Sequence, residues 1–259
     1  MYLTCNFSKI KPKMEIFNTL HSLLFDKRKV YKYKSLRALN GEHDLYLLVR
    51  SITRSRLGKL LEFYYDDLIL TKTINPETES LRTNYVRITV GPIFVHFFEI
   101  SPLEGFIGIL ARSSISNKLL NAIESVVRRE SQISSTIFGR VLFDIFLKEK
   151  EIRKIQDFLD VVEIIVENVA DPYIDWAWVK GSMLDQSSEY YKFVEGPTKG
   201  RLKVLAIRFQ NRVYYLYNDG RIFTRQADIS NIPNIIHEIQ LFSEIVKRLH
   251  KINAVRIIN

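Results

Sequence analysis

The same three residues, Ile-Ser-Asn, stand at 115–117 and again at 229–231, and one order of apolar runs surrounds both copies. Three matching residues alone constrain little, but their context constrains a great deal. Before the first copy come apolar runs at 85–90 and 93–100, a turn ending at Gly105, and a run at 106–111. Before the second come 202–209, 213–217, a turn ending at Gly220, and 221–225. The two glycines lie 115 residues apart and the two serines 114. Asn218-Asp219-Gly220 is a strong hairpin signal, because Asn and Gly accept positive φ at little cost. The first turn is longer and contains Pro102, so its strands are expected to splay.

A helix is expected after each set of strands. Ser116 and Ser230 stand where a hydroxyl would cap a free backbone N–H, and Pro233 follows in the first turn, where a missing donor costs least. Ile235, Ile239, Phe242, Val246 and Leu249 recur at helical spacing and make one apolar stripe, with Glu238 and Lys247 expected on the solvent side. Leu119, Ile123 and Val126 repeat the pattern over a shorter span. Upstream, strands at 44–52 and 161–169 are each followed by an aromatic stretch (63–70 and 173–179) and preceded by an amphipathic helix (14–25 and 141–159). The resulting expectation is an α+β fold: two diverged copies of a helix/antiparallel-sheet/helix module, a pseudo-twofold duplication. In element order alone it resembles the helix-grip folds. The expected divisions are a basic N-terminal segment with an amphipathic helix at 1–40, a first module at 41–135, and a connecting helix with the second module at 136–259.

Charge is distributed unevenly over this plan. Residues 1–60 hold thirteen Lys and Arg against four acids, a net +9 that equals the charge of the whole chain. Residues 61–259 balance at twenty-five of each sign. A localised basic segment on a neutral body points to a polyanionic partner. Lys27, Arg28, Lys29, Lys32 and Lys34 are interleaved with Tyr31 and Tyr33, and Arg37, Arg50, Arg54, Arg56 and Lys59 continue the charge. Cations release counterions from phosphates, and tyrosine rings can stack on unpaired bases. A solvated loop that serves only solubility is the plainer alternative.

Other constellations are weaker. Trp176 and Trp178 share one face of their strand, as do Tyr215 and Tyr217. Aromatic residues in strands usually pack, so these are read as core or cross-strand contacts, with a stacking surface as the alternative. Asp66-Asp67 with Glu62, and Asp171 with Asp175, are the acid groups that a metal-dependent phosphodiester cleavage would draw on. Neighbouring Asp residues on a strand point to opposite faces, however, and Asp171-Pro172 reads as turn chemistry. None of His21, His43, His96, His237 and His250 has metal spacing to another or to Cys5, and His96 alternates with Phe94 and Phe98 as a packed strand position would. No phosphate loop, dinucleotide fingerprint or serine-hydrolase elbow occurs.

An apolar fraction of 46% supplies a core, and the single cysteine suits a reducing compartment. No window approaches eighteen apolar residues and the N-terminus lacks a signal pattern, so a cytoplasmic protein without membrane contact is expected. Thirty-one Ile against eight Ala, with abundant charge, fits a thermophilic archaeon, one of its viruses, or merely an AT-rich genome. The functional expectation is a non-enzymatic nucleic-acid-binding or nucleoprotein accessory protein, without a cofactor or metal, contacting DNA or RNA through its N-terminal basic segment. The alternatives are a scaffold subunit whose basic segment docks an acidic protein surface, alone or as a homo-oligomer, and, more weakly, a metal-dependent nuclease.

Overall fold

Period-two alternation governs far more of this chain than the module plan allows. The computed structural model describes residues 3–11, 18, 20, 22, 29–38, 41–55, 58–101, 104–133, 136–143, 155, 159–181, 184, 187–196 and 199–258. They form two compact units. One, the meander unit, comprises Ile10–Gly105 and Ser113–Phe138; the other, the composite unit, is assembled from Met1–Lys9, Phe106–Arg112 and Gly139–Asn259.

In the meander unit β2 (Lys29–Ala38), β3 (Gly41–Ser55), β4 (Gly58–Asn75) and β5 (Ser80–Ser101) pair antiparallel in sequence order. The register aligns Leu47 with Tyr65, Val49 with Phe63 and Ile93, and Leu61 with Val95, so one face of the sheet is continuously apolar and buried. Helix α1 (Ser113–Ser131) lies against β2 and buries Leu119, Ile123, Val126 and Val127 at three- and four-residue spacing.

In the composite unit the strand order is β6 (Glu104–Leu110), β1 (Leu3–Ile10), β12 (Arg221–Thr224), β11 (Arg212–Tyr217), β10 (Arg201–Phe209), β8 (Asp160–Asp171) and β9 (Ile174–Lys180). β7 (Phe138–Phe143) pairs with β1 and with β13 (Val255–Ile258). β10 and β11 join through Gln210-Asn211, both at positive φ, the twist a two-residue hairpin requires. Helix α2 (Ile232–Lys251) covers one face of this sheet. Phe242 meets Tyr214 edge-on at 5.5 Å, and Ile239, Ile245, Val246 and Leu249 are buried beside it.

The expected α+β fold of two duplicated helix/sheet/helix modules is overturned: the molecule is chiefly antiparallel sheet. The runs at 85–90 and 93–100, expected as separate strands, are one strand, β5. The cis Gly91-Pro92 pair lies inside it, opposite Tyr64, where the register shifts by one residue. A bulge accommodates there the residue that lacks a ladder donor. Gly91 (φ +156°) is required, because a Cβ would fall 2.4 Å from the Tyr64 ring. The second copy keeps a true hairpin in the corresponding place, so connectivity differs.

The Ile-Ser-Asn anchors are not equivalent either. Ser116 is buried inside α1, which already begins at Ser113, whereas Asn231 rather than Ser230 caps α2, accepting from the Asn234 N–H at 2.9 Å. The expected helix at 141–159 begins instead as strand β7, in which Val141 and Phe143 alternate into the core; Ile155 is helical, and most of the remainder lies outside the described residues. Of the expected helix at 14–25, Asn18, Leu20 and Ser22 are described, and all three are helical. Glu238, expected on the solvent side of α2, is 1% exposed: its carboxylate accepts from Arg212 and from the Asp228 N–H. Among the described residues no helix is long and apolar enough to cross a membrane.

Candidate nucleic-acid interface

β2 carries most of the describable basic segment. It pairs with β3 along one edge and ends the sheet of the meander unit. Lys29, Lys32, Lys34 and Arg37 are exposed along it, with a bulge between Lys32 and Lys34. Lysines and a bulge are also what keeps an open edge from pairing with a foreign strand. Lys32 lies 2.6 Å from Asp44, and its ammonium, with the Ser35 hydroxyl, holds the Asp44 carboxyl below the usual range. Lys29 donates to the Ser22 carbonyl at 3.3 Å.

Both tyrosines of this segment turn inward. Tyr33, at the bulge, donates its hydroxyl to the Asp66 carbonyl, and burial pushes its phenol up to about 12. Tyr31 is half-buried, and burial, with Glu130 nearby, raises it as well. Arg50 is exposed 3.6 Å from Glu62. Arg54 pairs in register with the half-buried Lys59. Lys27, Arg28 and Arg56 lie outside the described residues.

A second surface departs from the expected core packing at its two tryptophans. Register places Trp176, Trp178 and Lys180 of β9 opposite Glu167, Ile165 and Glu163 of β8. The same rows continue through Val204 and Ala206 of β10 to Tyr217 and Tyr215 of β11, and on to Phe223 of β12. These side chains occupy the face opposite Tyr214 and Arg212, hence the face away from α2. Trp176 and Trp178 are 60% and 57% exposed, not core. β9 ends the sheet, and Ala177 and Val179 fill its covered side, which leaves the indoles to solvent.

Cations accompany these rings. Arg221 lies 4.7 Å over Tyr217 and Arg225 lies 5.5 Å over Tyr215. Lys180 and the Trp178 indole N–H meet Glu163 at 3.1 and 3.2 Å, Lys203 meets Glu167 at 2.9 Å, and Arg208 meets Asp160 at 3.1 Å. Burial, then Glu163, raises the Tyr215 phenol. Between the tryptophan and tyrosine rows, Glu163 of β8 and Val204 and Ala206 of β10 are buried. Such a face can stack flat rings and place cations beside them.

The acids do not converge. Asp66 accepts from the Thr89 hydroxyl at 2.8 Å and the Tyr46 N–H at 3.2 Å, while Asp67 pairs with Lys118 of α1 on the opposite face. Asp171 accepts from the Tyr173 N–H at 2.9 Å, as its turn requires. Among the described residues no group of His, Cys, Asp and Glu is arranged to hold a metal ion. His96 is buried and stacks on Phe98 at 5.3 Å. Cys5 is buried, which pushes its thiol well up and away from reactivity. No protein-family model and no curated protein matches the chain.

Proposed function

We propose that the protein binds nucleic acid without catalysing a reaction on it, as an accessory protein that prefers unpaired strands. One observation carries the reading. Trp176 and Trp178 stand exposed beside Lys180 and Lys203, and farther across the same sheet face Arg221 and Arg225 lie over Tyr217 and Tyr215. Exposed aromatic rings interleaved with cations are how sequence-tolerant single-strand binders hold bases and phosphates. The exposed lysines and Arg37 of β2 form a separate phosphate-binding surface, without a recognition helix to read base edges.

Fluorescence titration with single-stranded and duplex oligonucleotides tests this. Trp176→Ala with Trp178→Ala should weaken single-strand binding by about 1–3 kcal/mol for each base that loses its stack, with little effect on duplex. Replacing Lys29, Lys32, Lys34 and Arg37 by Ser should weaken both ligands alike. It should also flatten the salt dependence by about 0.7 log units per lost contact on single strands. Absence of binding to DNA and RNA at low salt would reject the proposal. A protein partner is the second reading, favoured by the open edge of β9 beside the two indoles, where an extended peptide could add as a strand. Trp-dependent copurification of a protein that survives nuclease treatment would favour it.

A further inference from the structure

One carboxylate lies buried on the face of the composite unit turned away from α2. Glu163 of β8 is only 4% exposed there. In register, Lys180 of β9 stands beside it on one side and Ala206 of β10 on the other. Trp178, the nearest residue of β9 on the same face, reaches diagonally across the ladder toward it. A carboxylate taken out of water is costly unless it is both paired and hydrogen-bonded. Glu163 has one partner of each kind, one on each oxygen. Its Oε2 accepts from the Trp178 indole N–H at 3.2 Å, and its Oε1 meets the Lys180 ammonium at 3.1 Å.

Both partners stay usable in this arrangement. The Trp178 ring is tied at its N–H edge and remains 57% exposed. The Lys180 side chain is 69% exposed, and an ammonium carries three donors, so a phosphate oxygen can take another while Glu163 keeps one. Because one carboxylate holds both, ring and ammonium stand at a set separation: a stacking surface with a cation beside it. Side chains ordered before a ligand arrives lose less freedom when it binds. Glu167, which stands opposite Trp176, instead gives its carboxylate to Lys203 at 2.9 Å. The two tryptophans therefore differ, Trp178 being the one whose indole is fixed by a buried acid.

We propose, on the reading that this face binds unpaired strands, that Glu163 is its positioning residue. Through its two oxygens it sets the Trp178 ring and the Lys180 ammonium to receive one nucleotide, base on ring and phosphate on ammonium. The test compares anisotropy titrations of the full chain with a labelled oligothymidylate and a labelled abasic oligonucleotide of equal length, whose affinity ratio isolates stacking. Wild type should favour the oligothymidylate. Glu163→Leu should cut that ratio by about threefold or more. Glu163→Gln, whose amide carbonyl still accepts from the indole, should keep most of it. A merely structural role would weaken both ligands alike and leave the ratio in place. In the wild-type protein the Trp178 indole proton should exchange with solvent more slowly than that of N-acetyltryptophanamide, by about tenfold or more. The chain has two tryptophans, so Trp176→Phe assigns the resonance. An unchanged ratio in Glu163→Leu, equal losses in both variants, or an unprotected indole proton overturns the proposal while leaving the single-strand reading intact. A wild type without preference for the oligothymidylate rejects that reading, and the positioning role with it.

Discussion

At the scale of single residues, the pair of Arg212 and Glu238 is the most consequential departure from a simple amphipathic pattern. Glu238 is buried, while the Arg212 side chain is 29% exposed. Removing one member therefore has unequal effects. Arg212→Ala strands a carboxylate in the interior and should cost about 3–5 kcal/mol. Glu238→Gln leaves an arginine that still reaches water and an amide that still accepts, and should cost about 1 kcal/mol. Urea midpoints of the two variants check the order, and the reverse order would mean that the arginine bears the desolvation. The pair was not legible from sequence, because a Glu flanking an apolar stripe looks like any solvated residue until its partner strand is known. The tryptophans illustrate the converse limit. Alternation assigned Trp176 and Trp178 to one face correctly, but which face is open depends on where α2 packs and on β9 ending the sheet.

At the scale of elements, alternation and helical spacing located most strands and, among the described residues, the long helices α1 and α2. They left out β1, β2, β7 and β13, and elsewhere the connection and extent of strands. Gly91-Pro92 is indistinguishable from a turn in sequence, yet β4 is long enough to pair on both sides of it. β1 is not evident from sequence although Leu3, Cys5 and Phe7 alternate with Thr4, Asn6 and Ser8, because the run is short and Lys9, Lys11 and Lys13 follow it directly. The start of α2 offers a prediction at this scale. Asp228 accepts from the Ser230 N–H at 3.0 Å and from the Asn234 amide at 2.7 Å, and these bonds hold its carboxyl below the usual range. Its folded pKa is thus lower than its unfolded one. The stabilisation is complete above the ordinary carboxylate pKa of about 4 and is lost as pH falls through the depressed value. Thermal melts followed down the acid limb should show wild type losing this increment while Asp228→Asn does not.

At the scale of the whole molecule, the two units differ in how their strands are drawn from the chain. β2 to β5 are consecutive, so each finds its partner as the next strand along. In the composite unit, Leu3 pairs with Thr224 and Asn6 with Arg221, partners near opposite ends of the sequence. Closing so large a loop costs entropy before any contact repays it, and sheets rich in distant pairings form slowly. During synthesis the meander can zip up as it emerges, whereas β1 must wait for β12, far downstream in the chain, to complete its pairing. Pulse-labelled hydrogen exchange during refolding should therefore protect amides of β3, β4 and β5 before those of β1 and β12. For the interval between, the edge of β1 that β12 takes stays open even once β6 and β7 are available to pair with it, and chaperone capture would find a foothold there.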